Sequence, residues 1–187
     1  TAPPLWIAVI SGPALVGVGS VLGSKLLTRA GVLLGGFATA SLADIARNRI
    51  VPGANDNLSG VATLLGLART LRERPVEGIR VLLVSTGSEE SFMEGMQAFA
   101  ARHFPSLPTD RTHVICVDTV GSPTLMQLEG EGMLVMRDYP EDFKDLVSAA
   151  AADAGVALLR GMRFRNATDG LIALKAGYPT VMIGSVT

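Results

Sequence analysis

A single cysteine, Cys116, stands in the 187 residues, so no intrachain disulfide can staple the fold. Inside the run HVICVD it reads as a small buried hydrophobe and says little about compartment. Nor is there an excess of either charge. With 16 Lys and Arg against 17 Asp and Glu, the formal net charge is −1, which excludes a charge field that recruits nucleic acid or an anionic surface. No internal repeat and no low-complexity linker interrupts the chain. Its length suits one good-sized core with an appended element.

Charged residues are scarce overall, at 18% against 48% hydrophobic, and the mean hydropathy of +0.39 is high for a water-soluble domain. The excess is concentrated. Thr1 to Ser24 contain no charged residue, and PLWIAVISGPALVGVGSVLG fills residues 4–23, the roughly 20 residues that a bilayer core requires. After Lys25 and Arg29 a second uncharged run, Ala30 to Ala43, reads AGVLLGGFATASLA. It reaches the length of a span only if Asp44 and Arg47 lie at the interface. Residues 1–49 are therefore expected to form a transmembrane helical hairpin that meets the bilayer through residues 4–23 and 30–46. A pair of Gly-rich helices buried in a soluble protein is the alternative. A secretory signal is disfavoured, because the run is preceded by TAPP and not by basic residues.

From Ile50 onward the pattern becomes that of a water-soluble α/β domain, residues 50–187. NLSGVATLLGLARTLRER has apolar residues at helical spacing, a cap in Asn57 or Asp56, and basic residues at its C-terminal end. GIRVLLVSTG is an almost wholly apolar run, as expected of a strand buried on both faces. A helix is expected at EESFMEGMQAFAARHF, stopped by Pro105, and a second buried strand at THVICVDTVG. Strand-like TLMQLEG and GMLVMRD follow, then a helix PEDFKDLVSAAAADAG, a short helix DGLIALKAG and a last strand PTVMIGS. This alternation predicts a mixed, mostly parallel sheet sandwiched by helices.

In open α/β sheets the ligand crevice lies outside the carboxyl ends of the strands. Glu89 and Glu90 fall just past one apolar run, Asp118 ends another, and Asp56 opens the helix before the first. Three separate loops can thus deliver carboxylates to one rim. Such a cluster is self-repelling unless a cation neutralises it, and a divalent metal is the simplest such cation. Taken singly, each piece has an ordinary reading: SEES as a helix start, NDN as an Asx turn, Asp118 as a turn cap. Three independent caps have no need to share one edge of a sheet.

Four motifs, VPGANDNLSGVATLLGLAR, RVLLVSTGSEESFMEGMQAFA, VICVDTVG and TDGLIALKAGYPTVMIGS, resemble in order and spacing those of the co-catalytic zinc aminopeptidases. That group contains bacterial leucine aminopeptidase, aminopeptidase Y and, more distantly, the glutaminyl cyclases, and the resemblance covers roughly residues 51–185. It implies a zinc-exopeptidase-like fold and a dizinc enzyme that removes N-terminal residues from peptides. Asp56 would bridge two zinc ions, Glu90 would bind one and Asp118 the other. Glu89 would be the general base toward the bridging water, and Asp169 a polar group on the substrate side.

The sequence departs from this family in its imidazoles. Family members use two His ligands, whereas His103 and His113 are the chain's only histidines, and neither sits where a ligand is expected. TDG, Thr168 to Gly170, stands where the family often has Ser-Asp-His. The 187 residues are accordingly expected to be a fragment, with the hairpin inserted between the first His and the bridging Asp, as in membrane-inserted variants of the family. Lys25 and Arg29 in the hairpin turn favour an extracytoplasmic catalytic domain. Two other functions share the fold: a single-zinc cyclase acting on N-terminal glutamine, and a metal-free, membrane-anchored binding domain.

Overall fold

The structure, a computed structural model, describes residues 5–187; Pro4, the first residue of the expected first span, lies outside them. The chain divides into two compact units, one ending at Val51 and one running from Pro52 to Thr187. In the first, helix α1 (Leu5–Val21) and helix α2 (Lys25–Arg47) form a hairpin. Gly23 turns the chain with φ of 64°, and the Ser24 hydroxyl caps α2 by accepting from the Leu27 N–H. Glycines set the spacing of the two helices. A Cβ on Gly31 would stand 2.7 Å from the Gly12 carbonyl oxygen, and one on Gly19 would stand 2.6 Å from the Thr28 nitrogen. Replacing Gly31 by Val should therefore cost roughly 1–3 kcal/mol through overpacking. Thermal loss of helicity in detergent micelles checks this, and an unchanged midpoint would contradict the close approach.

The expected order of the two spans is reversed in length. α2 takes Lys25 and Arg29 into its first turns and Asp44 and Arg47 into its last, so the shorter apolar run becomes the longer helix. Among the described residues α2 is the one helix long and apolar enough to cross a membrane, by length and composition. α1 ends at Val21, two residues before the expected end of the first span.

In the second unit the elements are helix α3 (Ser59–Glu73), helix α4 (Glu94–His103), strands β1 (Val114–Val117), β2 (Thr124–Glu131) and β3 (Arg137–Asp138), helix α5 (Glu141–Asp153), strand β4 (Leu159–Phe164), helix α6 (Asp169–Lys175) and strand β5 (Thr180–Val186). The strands form one mixed sheet in the order β1-β5-β2-β3, with β4 also paired to β2. β1 runs parallel to β5, and β4 parallel to β2, while β5 and β3 are antiparallel to β2. Met126, Leu128, Tyr139 and Met182 form one buried cluster; Met93, Met96, Leu107, Ala173 and Tyr178 form a second. The Tyr178 hydroxyl closes the second cluster by donating to the Leu107 carbonyl at 2.7 Å.

A buried ion network joins β2, α5 and β4. Lys144, 1% exposed, pairs with Glu129 and, at 2.7 Å, with Glu141. Arg160 reaches Glu129 at 2.6 Å, Glu141 at 2.8 Å and Asp145 at 3.0 Å. Hydrogen bonds from Arg160, then Lys144 and the Gly161 amide, hold the Glu129 carboxyl down at about 2 against the cost of burial.

Three local expectations are corrected. Ile79–Thr86, expected as a buried strand, joins no strand and is largely exposed, because no strand among the described residues offers it hydrogen bonds. β1, expected to be buried, is an edge strand with Ile115 52% exposed, because β5 covers only one of its sides. The helix expected from Glu89 begins instead at Glu94, since Ser88, Phe92 and Met93 adopt positive φ that a helix cannot contain.

Candidate active site

Asp56 lies in a tight turn, Ala54–Leu58, that leads into α3 and is entered through Gly53 in the left-handed region. Its neighbours stitch that turn to the loop after β1. The Asn57 side chain accepts from the Gly60 N–H at 2.9 Å, capping α3, accepts from the Thr119 N–H at 3.2 Å and donates to the Val117 carbonyl at 3.1 Å. Asn55 accepts from the Gly121 N–H at 2.7 Å and donates to Ser122, and the Ser59 hydroxyl accepts from the Val120 N–H at 3.0 Å. Gly60 is required where it stands: a Cβ there would lie 2.5 Å from the Asn57 side chain and 2.8 Å from the Val117 oxygen. Asp56 and Asp118, far apart in sequence, are thereby held at one end of the sheet.

Glu89 and Glu90 occupy the turn between the apolar run and α4. Asp169 opens α6, whose N-cap Thr168 accepts from the Gly170 N–H. Behind Thr168 the buried carboxylate of Glu131 accepts from the Thr168 amide at 3.0 Å, the Thr168 hydroxyl at 2.9 Å and the Tyr139 hydroxyl at 2.7 Å. The Thr86 hydroxyl donates to one Asp169 oxygen, and the other, Oδ1, is buried with no partner. All five expected residues, Asp56, Glu89, Glu90, Asp118 and Asp169, line one cavity of about 540 Å³.

No Lys or Arg lines that cavity, and its electrostatics follow. Burial pushes the Glu89 carboxyl up to about 7, and the charges of Glu90, Asp118, Asp169 and Asp56 push the same way. Asp118 is raised by burial and by Asp56, Asp169 and Glu90, against a hydrogen bond from Thr119. Asp169 is raised by burial despite its bond from Thr86.

The donor chemistry suits a hard or borderline divalent cation, because carboxylate oxygens surround a space short of positive charge. The set is open, however: among the described residues no three His, Cys, Asp or Glu side chains come close enough together to hold an ion. The histidines do not fill the gap. The His103 ring packs on Phe99 with centroids 4.7 Å apart, and the His113 ring packs on Phe143 at 4.8 Å.

A pH dependence follows directly. Glu89 has a folded-state value near 7 against an ordinary 4.5, so the folded chain binds its proton more tightly than the unfolded chain does. Asp118 and Asp169 shift in the same direction. The contribution of Glu89 is fully present below about 4.5 and is lost as pH rises toward 7, and the two aspartates act with the same sign. In chelator the thermal midpoint of the chain should fall across that window, and added zinc should oppose the fall. A midpoint that rises with pH there would contradict the assigned crowding.

The sequence pointed to the carboxylates and to Asn57 as a cap of α3, but not to Asn55, Ser59 or Glu131, nor to the bonds that Asn57 makes to the loop after β1. NDN followed by Ser59 and Gly60 was the available signal for the first two. Glu131 gave none, since an acidic residue near the end of a strand ordinarily faces water.

A carboxylate-lined crevice at the end of a mixed, helix-covered sheet defines an α/β domain with an acidic site. Residues 39–186 match the model of peptidase family M28, and the chain belongs to that family. The solved aminopeptidase from Aneurinibacillus sp. strain AM-1 is similar in structure, with a TM-score of 0.53 and 26% identity over 73% of this chain and 32% of that one. The chain thus spans about a third of that aminopeptidase's length. A search of curated proteins found no match.

Proposed function

We propose that the chain carries the acidic part of a zinc aminopeptidase site, hydrolysing the bond after the N-terminal residue of a peptide. The observation that carries this reading is the single cavity into which Asp56, Glu89, Glu90, Asp118 and Asp169 all open. Asp56, Glu90 and Asp118 would hold zinc, with further ligands from outside these residues. Zinc supplies Lewis acidity and lowers the pKa of water toward neutrality.

The remaining chemistry belongs to side chains. Glu89, which faces the same cavity, accepts the proton of the attacking water and returns it to the leaving amine as the C–N bond breaks. Asp169 offers its unpartnered Oδ1 to the α-ammonium group, which restricts cleavage to free N-termini. The hairpin, under the same reading, anchors the enzyme in a membrane with the catalytic unit extracytoplasmic.

Zinc titration and peptide cleavage by the complete protein test this together. Two equivalents of zinc and hydrolysis of a free but not an N-acetylated peptide are expected. One equivalent with cyclisation of N-terminal glutamine would instead establish the cyclase. No zinc and no turnover would leave a binding domain.

A further inference from the structure

Two glutamates stand buried two residues apart on β2, and their surroundings differ. Glu129 has Lys144 and Arg160 as counter-charges. Glu131, 0% exposed, meets neutral donors and, among the described residues, no cation: the Thr168 N–H at 3.0 Å, the Thr168 hydroxyl at 2.9 Å and the Tyr139 hydroxyl at 2.7 Å. Burying a carboxylate without a counter-charge works against folding, and an apolar side chain of similar volume would fill the same space at less cost. Stability therefore does not account for Glu131. Two of its three bonds go to a single residue, Thr168.

Those two bonds fix Thr168 at both its backbone and its side chain. One carboxylate oxygen of Glu131 takes the Thr168 N–H and the other takes its hydroxyl, while that hydroxyl accepts from the Gly170 N–H at 3.3 Å and so caps α6. On the far side of Asp169 the chain is equally confined. A Cβ on Gly170 would lie 3.0 Å from the Cys116 Cβ and 3.2 Å from the Tyr139 hydroxyl. Asp169 thus stands between two residues that cannot shift. Its carboxyl is tethered by the Thr86 hydroxyl through one oxygen, and the other, Oδ1, is buried without a partner. Where that oxygen points is set by its neighbours in the chain and by Thr86, and the first of those neighbours is held by Glu131.

We propose that Glu131 is a positioning residue for substrate binding: through Thr168 it aims Asp169 Oδ1 at the α-ammonium group of the peptide. The proposal rests on the aminopeptidase reading of the site and deepens it. Asp169 lines the cavity and Glu131 does not, so Glu131 acts only through the residue it holds. It sets the affinity for a free N-terminus and leaves the bond-breaking step to Glu89, because an interaction with the ammonium group is the same in the bound substrate and in the transition state.

Glu131→Gln in the complete protein tests it, since glutamine keeps the size but has one acceptor oxygen where the carboxylate has two. KM for a peptide with a free N-terminus should rise about tenfold, the scale of one charge-assisted hydrogen bond lost to misalignment, with kcat changed by no more than about twofold and zinc content unchanged. Asp169→Asn should raise KM at least as much, and Glu131→Gln added to it should raise KM no further, because both act through one carboxyl. A readout independent of turnover is amide exchange of the zinc-free 187-residue chain in detergent micelles, where the Thr168 N–H should exchange at least about tenfold faster in Glu131→Gln. If Glu131→Gln does not fold, Thr168→Val, which removes the hydroxyl arm and keeps the amide arm, should show the same split between KM and kcat. A rise in KM that is equal in the wild-type and Asp169→Asn backgrounds, a fall in kcat at constant KM, or unchanged exchange at Thr168 would overturn the proposal while leaving the peptidase reading in place. An unaltered protein that cleaves no peptide would overturn that reading, and the proposal with it.

Discussion

Glu89→Gln in the complete enzyme should lower kcat by about 10²- to 10⁴-fold, the usual contribution of a positioned general base, while zinc content stays unchanged. The expectation rests on where the carboxylate is and on what surrounds it. Glu89 lies in the turn beyond an apolar segment, partly buried, and faces a cavity shared with four other carboxylates. In the metal-free chain burial first, and those neighbours second, lift it to about 7; zinc beside it would favour the charged carboxylate, the form that takes a proton from water. Glutamine keeps the size and removes the proton acceptor. A variant with full turnover would take Glu89 out of the mechanism; one that lost zinc as well would make it a ligand.

The second large effect is on stability and lies away from the cavity. Glu129→Ala should destabilise the fold by about 3–5 kcal/mol, the cost of removing one partner from a buried ion pair. Glu129 is 11% exposed and is shared by Lys144 and Arg160. Without it Lys144, 1% exposed, keeps only the largely exposed Glu141. The sign of the pH dependence is opposite to that of the cavity carboxylates. With a folded value near 2, below the ordinary 4.5, Glu129 stabilises fully above about 4.5, and that contribution fades as pH falls toward 2. Chemical denaturation of the wild-type chain and the variant at pH 6 and pH 3 measures this. The gap between the two should be wide at pH 6 and narrower at pH 3; a constant gap would mean the loss is packing alone.

What could be read in the sequence depended on how local the responsible forces are. α3, α5 and α6 follow from apolar spacing and end residues within a few positions, and β2 and β5 from short apolar runs. β4 escaped notice because LRGMRF alternates half-buried and exposed positions, includes Gly161 at φ of 91°, and places two arginines in ion pairs that only the fold reveals. Ile79–Thr86 has the composition of a buried strand, yet composition cannot supply the donors and acceptors that make a strand. Those must come from a neighbour, and among the described residues none pairs with it.

The candidate site divides in the same way. Carboxylates placed just past apolar runs were legible because the topology of α/β sheets fixes where loops gather. The cap at Asn57 was legible too, but the long-range bonds of Asn55, Asn57 and Ser59 were not, since they act across 60 to 67 residues of sequence. Glu131 likewise holds Thr168 from 37 residues away.

The central claim is that Asp56, Glu89, Glu90, Asp118 and Asp169 share one electrostatic enclosure. Carbon-13 NMR titration of the Glu89 carboxyl in the metal-free chain addresses it most directly. A midpoint near 7 is predicted, shifting downward in Asp118→Asn and disappearing from the neutral range when zinc is added. A midpoint near 4.5 that ignores both the substitution and the zinc would contradict the account.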